Sequence, residues 1–205
     1  MKYLILTISI FMSFSCANNK AYNDAEKICK DVDSLFSSQY PSNEPGVSVL
    51  IMKEDSVIFS QGYGIADLST GLTIDDNTFF NIASVSKQFS AVAIMMLAEE
   101  GKLSLDDNLK KWFPDFQADF FNDIKLSHLL SHTSGIPDSR DRSNREFVTK
   151  ATYVESYSYI AKLDSLNFKP GSKYEYMNPT FQLMYSIIEM ASGIPFETFM
   201  KERIF

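Results

Sequence analysis

The order of the predicted secondary structure constrains the fold of this chain more than any other sequence feature. Two β-branched and apolar runs, Val47–Met52 and Val57–Tyr63, are joined by the polar Glu54-Asp55 and predict a β-hairpin. An apolar stripe along 85–100, ended by Gly101, predicts a long core helix. Because the strands precede the helices instead of alternating with them, the predicted fold class is α+β. Shorter helical patterns follow at 106–113, 124–131, 144–164, 180–192 and 195–204.

Composition and charge exclude several classes of protein. The chain has 205 residues, of which 45% are hydrophobic and 22% are charged, and this supports one globular domain. Its net charge of -7 argues against nucleic acid as a partner, because phosphate binding needs clustered Lys and Arg. The basic residues Arg140, Arg142 and Arg145 are interleaved with Asp141 and Glu146, which is typical of a solvated loop.

The N-terminal segment has the pattern of an export signal. A positively charged start precedes an apolar run over 3–14, which is followed by small residues around Cys16. The run is shorter than the roughly 20 residues that a membrane-spanning helix needs. Residues 1–16 resemble a bacterial lipoprotein signal, which implies that Cys16 is lipidated and that the protein is exported to the cell envelope and anchored in a membrane. Simple cleavage is the alternative, because such signals usually carry leucine where this chain has Ser13. Residues 17–24 are then a polar tether.

The sequence lacks the common patterns of metal and cofactor sites. Its two cysteines, Cys16 and Cys29, form neither a disulfide framework nor a zinc cluster. Cys29 falls in a helical pattern over 25–39, so we expect a buried structural thiol. His128 and His132 stand four residues apart, but a zinc protease motif would need glutamate directly after the first histidine, where the chain has leucine. We therefore expect no metal and no cofactor.

Ser84-Val85-Ser86-Lys87 lies where a loop gives way to the predicted long helix. Residues three apart share a helix face, so the spacing places the Ser84 hydroxyl beside the Lys87 amine, as a nucleophile beside its base. A serine in the first helical turn also has a free backbone N–H that can stabilise an oxyanion. Serine before a helix is equally a common N-cap. From this tetrapeptide alone, a capping Ser84 and a solvated Lys87 remain open.

Two further segments change this interpretation. The first is Leu129-Leu130-Ser131-His132-Thr133-Ser134-Gly135. The second runs from Phe168 to Asn178 and includes Tyr176-Met177-Asn178. With Ser84 and Lys87 before them, in this order, they closely resemble the serine β-lactamase and penicillin-binding protein family in its class C, DD-peptidase and esterase branch. The resemblance runs from about residue 46 to the last residue. In that family the histidine segment is a tight turn after a short helix, so we do not interpret His132 as catalytic.

The resemblance implies a role for each of four residues. Ser84 is the acylated nucleophile, and Lys87 is the amine that helps to deprotonate it. Tyr176 is a second acid–base group, since a phenol beside cations or dipoles can exchange a proton with a leaving group. Asn178 positions Lys87 and the amide carbonyl of the substrate. Because Pro179 follows it, we also expect Asn178 to cap a helix.

The implied activity is that of a serine hydrolase, which forms an acyl-enzyme and passes the acyl group to water. Its substrate is a β-lactam, a D-Ala-D-Ala-type peptide, a D-amino-acid peptide or a small ester, and the sequence does not choose among them. The alternative is a catalytically inactive lipoprotein of the same fold that binds cell-wall peptide.

The third motif of the family is absent from this sequence. Relatives carry Lys-Thr-Gly or His-x-Gly on a strand after the tyrosine motif, and nothing after Tyr176 matches either pattern. We therefore expect residues 25–205 to be an incomplete β-lactamase-related domain, with the N-terminal β-hairpin and the helical subdomain but without the C-terminal part of the antiparallel sheet. The chain as given is expected to be a truncated fragment that lacks the second oxyanion N–H.

Purified residues 1–205 are predicted to show no turnover of a chromogenic β-lactam or a p-nitrophenyl ester. Loss of one oxyanion donor lowers the rate about 100- to 1000-fold in a measured case. A spectrophotometric assay with the Ser84→Ala variant as the blank measures this activity. Turnover that disappears in the variant would contradict the prediction.

Overall fold

The computed structural model describes residues 24–138 and 153–205. The chain forms two compact units, Met1–Asn81 and Ile82–Phe205, and each is described by itself. Strands occur in the first unit and helices dominate the second, so the predicted α+β class is confirmed.

Several predicted features lie outside the described residues. They are the export signal over 1–16 with Cys16, all but the last residue of the tether over 17–24, the cluster of Arg140, Arg142 and Arg145, and the first part of the helix predicted over 144–164. Among the residues that are described, no helix is long and apolar enough to cross a membrane.

The first unit contains one helix and two small sheets. Helix α1 covers the described residues 24–39. Strands β1 (Val47–Lys53) and β2 (Ser56–Tyr63) form the predicted antiparallel hairpin, which confirms that expectation. Strands β3 (Ile65–Asp67) and β4 (Leu72–Thr73) pair in a second two-stranded sheet. The sequence did not predict the second sheet, because strands of two or three residues are too short to show a period.

Polar and aromatic contacts join α1 to β2 within this unit. Cys29 is half-buried, not buried as predicted, and its thiol donates a hydrogen bond to the Ile58 carbonyl at 3.2 Å. The Tyr63 hydroxyl donates to Asp33 at 2.9 Å, and the Tyr63 ring stacks on Phe36 with centroids 5.8 Å apart. Burial, with the Asp33 carboxylate beside it, raises the pKa of Tyr63 to about 12.

The second unit is helical. It begins with a 3-10 turn at Ala83–Ser86, which leads directly into α2 (Lys87–Glu99). A second 3-10 turn spans Asp119–Asn122. The remaining helices are α3 (Leu109–Trp112), α4 (Leu126–Leu130), α5 (Tyr153–Ala161), α6 (Pro179–Ser192) and α7 (Phe196–Arg203).

Helix α6 is the central element of this unit, and it packs against α2, α5 and α7. Its residues Leu183 and Ile187 are fully buried, as are Ile94 and Leu97 of α2. Burial of one such side chain contributes roughly 1.5–3 kcal/mol, so this apolar contact holds the two helices side by side. This packing also places the first turns of α2 and α6 next to each other.

A tight turn after α4 brings a distant segment back to this core. His132 and Gly135 both have positive φ, of +57° and +77°. The Gly135 carbonyl accepts a hydrogen bond from the Asn167 N–H at 2.8 Å, and a Cβ on Gly135 would lie only 2.1 Å from the Phe168 carbonyl oxygen. Position 135 therefore requires glycine for two reasons, its backbone conformation and the close approach of Phe168.

Gly135→Ala is predicted to lower the free energy of unfolding by more than Gly101→Ala does. Both glycines have positive φ, and an L-residue in that conformation costs roughly 1–2 kcal/mol. Only at Gly135 does the new Cβ also meet backbone, since nothing lies within 4 Å of a Cβ built on Gly101. Urea unfolding of the two variants measures the difference. Equal losses would show that the close approach at Gly135 carries no cost.

Candidate active site

Ser84 lies in the 3-10 turn that precedes α2, and its side chain is exposed. Neither this turn nor α2 has a side-chain cap, so the capping interpretation of Ser84 is wrong. The preceding Ala83 has a φ of +45°, a left-handed conformation that costs a residue with a Cβ about 1–3 kcal/mol.

The Ser84 hydroxyl is the point where an amine and a phenol meet. Lys87 Nζ donates to Ser84 Oγ at 3.0 Å, and the Tyr176 hydroxyl donates to the same oxygen at 2.7 Å. Lys87 is the first residue of α2, three positions after Ser84, as the spacing predicted. Tyr176 comes from the segment that leads into α6, 92 residues further along the chain.

Asn178 is the fourth predicted residue, and its side chain holds the amine. Its Oδ1 accepts a hydrogen bond from Lys87 Nζ at 2.7 Å. Pro179 is the first residue of α6, but the Asn178 side chain makes no capping hydrogen bond, so that part of the expectation is wrong. The reason is physical. An acceptor on an ammonium group gains a charge-assisted bond, which is stronger than a bond to a neutral backbone N–H.

Two aromatic rings cover the Lys87 amine. Nζ lies 5.1 Å from the centroid of the Tyr176 ring and 5.6 Å from that of Phe181. Such cation–π contacts contribute about 0.5–1 kcal/mol or more. Together with Ser84 and Asn178, they restrict the long lysine side chain to one position.

His132 also contacts this group, which the sequence did not predict. Its ring lies against the Tyr176 ring, with centroids 4.5 Å apart, and against Phe181 at 5.1 Å. Its Nδ1 accepts the Met177 N–H at 3.1 Å, and its carbonyl accepts the Glu175 N–H at 2.9 Å. The histidine turn motif was the available signal, but nothing local to it indicates a contact 45 residues away.

Burial lowers the pKa of both histidines in this unit. For His132 the loss of solvent is the main cause, and the nearby Lys87 charge adds to it. For His128, burial again comes first and Lys125 second. Both imidazoles are therefore neutral near pH 7. The described residues contain no group of histidine, cysteine and carboxylate side chains able to hold a metal ion.

The residues of the candidate site lie in a part of the chain that is similar to known proteins. The Beta-lactamase family model matches residues 34–205. Protein flp from Staphylococcus aureus (strain NCTC 8325 / PS 47) is 32% identical over 172 residues, which cover 82% of this chain and 34% of flp. The chain therefore spans about a third of the length of this curated relative.

Solved structures give the same fold. The octameric penicillin-binding protein homologue from Pyrococcus abyssi has a TM-score of 0.71 and 28% identity, over 87% of this chain and 42% of that one. D-alanine carboxypeptidase AmpC from Burkholderia cenocepacia has a TM-score of 0.67 and 25% identity, over 90% of this chain and 48% of that one. The predicted β-lactamase and transpeptidase-like fold is confirmed.

The free energy of unfolding is predicted to fall as the pH is lowered below about 6.5, the ordinary pKa of histidine. His128 and His132 have folded-state pKa values below that of the unfolded chain, so the unfolded chain binds protons first. Their contribution is complete above the unfolded pKa and is lost as the pH falls through the folded pKa. Urea midpoints between about pH 7.5 and about pH 5.5 measure it. The His132→Asn variant should give a flatter profile, and an unchanged profile would contradict the assignment to His132.

Proposed function

Because the chain belongs to the Beta-lactamase family, we propose that Ser84 is the nucleophile of a serine hydrolase that forms an acyl-enzyme and passes the acyl group to water. One observation carries the proposal. Ser84 Oγ, which is exposed, receives hydrogen bonds from both an amine and a phenol, from Lys87 and Tyr176. A nucleophile needs a partner that removes its proton and another that supplies a proton to the leaving group, and these two side chains fit those tasks.

The acylation step requires Lys87 as a neutral amine, so the ammonium group of the resting site first gives one proton to solvent. Ser84 Oγ then forms a bond to the carbonyl carbon of the substrate, and its proton passes to this amine. The negative charge that develops on the carbonyl oxygen faces the Ser84 N–H at the start of a helix, which supports it electrostatically. The C–N bond of an amide or the C–O bond of an ester then breaks. Tyr176 protonates the leaving atom and regains its proton from the Lys87 ammonium group.

Hydrolysis of the acyl-enzyme reverses this route with water as the nucleophile. Water gives one proton to the Lys87 and Tyr176 pair and adds its oxygen to the acyl carbon. The bond between Ser84 Oγ and that carbon breaks, and the serine recovers a proton. Asn178 keeps the Lys87 amine in place during both steps through its 2.7 Å hydrogen bond, and its amide N–H groups can donate to a substrate carbonyl.

The proposed substrates share a carbonyl that an exposed serine can reach. They are a β-lactam, a D-Ala-D-Ala-type peptide, a D-amino-acid peptide or a small ester. The family name and the likeness to a D-alanine carboxypeptidase support the first two classes. The contacts around Ser84 favour none of the four, because amine, phenol and serine would act on each in the same way.

We place the protein in the bacterial cell envelope, where cell-wall peptides occur. The pattern of the sequence over 1–16 supports export, and lipidation of Cys16 with the tether at 17–24 would keep the domain at a membrane surface. One acyl chain alone gives marginal membrane affinity, so stable attachment by Cys16 needs more than one chain.

The full-length protein is predicted to be acylated on Ser84 by penicillin or by a fluorophosphonate. Mass spectrometry of peptides locates the adduct, which must be absent in Ser84→Ala. The Ser86→Ala variant is the matched control, because Ser86 belongs to the same 3-10 turn and should leave labelling unchanged. Lys87→Met and Tyr176→Phe should each slow labelling by about 100- to 10,000-fold, the range for loss of an acid–base group.

Folding of each variant is checked by its urea midpoint before labelling is compared. A folded wild-type protein that binds cell-wall peptide but forms no adduct on Ser84 would contradict the proposal. That result would identify a catalytically inactive binding protein of the same fold.

A further inference from the structure

Three consecutive residues around the proposed acid–base group all contact His132. The Glu175 N–H donates to the His132 carbonyl, the Met177 N–H donates to its Nδ1, and the Tyr176 ring between them lies on its imidazole. Both backbone neighbours of Tyr176 are thus held by one residue. The phenol then reaches Ser84 Oγ at 2.7 Å.

From this arrangement we propose that His132 is the positioning residue for Tyr176: the neutral imidazole holds the phenol on Ser84, and a proton added at Nδ1 releases it. The inference rests on the proposed function, in which Tyr176 exchanges protons with the substrate. His132 itself does not touch the reacting atoms in this scheme. It acts through the backbone of the segment that carries Tyr176.

The hydrogen bond at Nδ1 determines the charge state that this role requires. Nδ1 accepts the Met177 N–H at 3.1 Å, so it carries no proton, and the neutral ring has its proton on Nε2. Protonation of Nδ1 would set two N–H groups against each other. The acceptor would be lost, and the N–H of Met177, which is almost fully buried, would be left without its partner.

Among the charged and titratable groups around His132, Lys87 opposes its protonation. Lys87 faces it from α2, and its charge lowers the pKa of His132 in addition to the effect of burial. Phe181 faces it from α6 and carries no charge. His128, on its own helix α4, accepts the Lys125 N–H through Nδ1. On the segment before α6, Tyr174 and Tyr176 present their rings to it, and the Glu175 carboxylate accepts a hydrogen bond from Asn167 at 2.7 Å.

Two substitutions separate positioning from mere packing. His132 has a φ of +57°, and asparagine is one of the few residues that adopt this conformation readily. His132→Asn also keeps an acceptor close to the place of Nδ1, but it cannot gain a proton. His132→Leu loses the acceptor and suits the backbone poorly. We expect the asparagine variant to retain most of the wild-type labelling rate near neutral pH, and the leucine variant to lose it.

The first experiment compares the rates at which Ser84 is labelled in the wild-type protein and in His132→Asn, in the full-length chain. The other residues of the site are the same in both proteins, so the ratio of the two rates isolates the histidine. The ratio should be constant above about pH 6.5 and should fall at lower pH, as His132 gains its proton. A ratio that does not change with pH would overturn the proposal.

The second experiment needs no activity. Tyrosine rings labelled with carbon-13 are followed by NMR between about pH 8 and about pH 5, with Tyr176 assigned from the Tyr176→Phe spectrum. The Tyr176 signal should move with the same midpoint as the His132 ring and should stay constant in His132→Asn. Tyr63, in the first unit, is the control and should not follow that midpoint.

The two experiments distinguish the two proposals. If the NMR signal of Tyr176 does not change as His132 titrates, the positioning role is overturned, whether or not Ser84 is acylated. Coupled titration in a protein that is never labelled supports the positioning role and contradicts the hydrolase.

Discussion

The position of Tyr176 depends on four hydrogen bonds between the turn after α4 and the segment before α6. The carbonyls of His132, Thr133 and Gly135 accept N–H groups from that segment, at 2.8 to 2.9 Å, and His132 Nδ1 accepts a fourth. The turn can offer its carbonyls in this way because two of its residues have positive φ. The family motif at 129–135 therefore supplies hydrogen-bond acceptors that fix the segment carrying Tyr176, and through it the phenol beside Ser84.

Apolar packing supplies the other half of the site. Contact between α2 and α6 sets their first turns side by side, which places Lys87 next to Asn178 although they are 91 residues apart. Hydrogen bonds and a buried core thus fix different parts of one group of side chains. The turn positions the phenol, while the helix pair positions the amine.

Much of this could be predicted from the sequence, and the failures have physical causes. The hairpin, α2 and α6 were predicted because each is long enough to show its hydrophobic period. The contact of Ser84 with Lys87 follows from helical spacing, whereas Tyr176 and Asn178 came only from resemblance to a family. The Asn178 cap was wrong because a distant lysine competed for the same oxygen. The contacts of His132 depend on tertiary structure, which a local sequence pattern does not predict.

The backbone of Ala83 has a consequence for how the site meets a substrate. A glycine would adopt a φ of +45° without strain, but it would also leave the adjoining peptide free to sample many other conformations. Alanine adopts this conformation at a cost in backbone strain, and the free energy of folding offsets that strain. Ser84 is therefore oriented before any ligand arrives, and less conformational entropy remains to be lost at the moment of encounter.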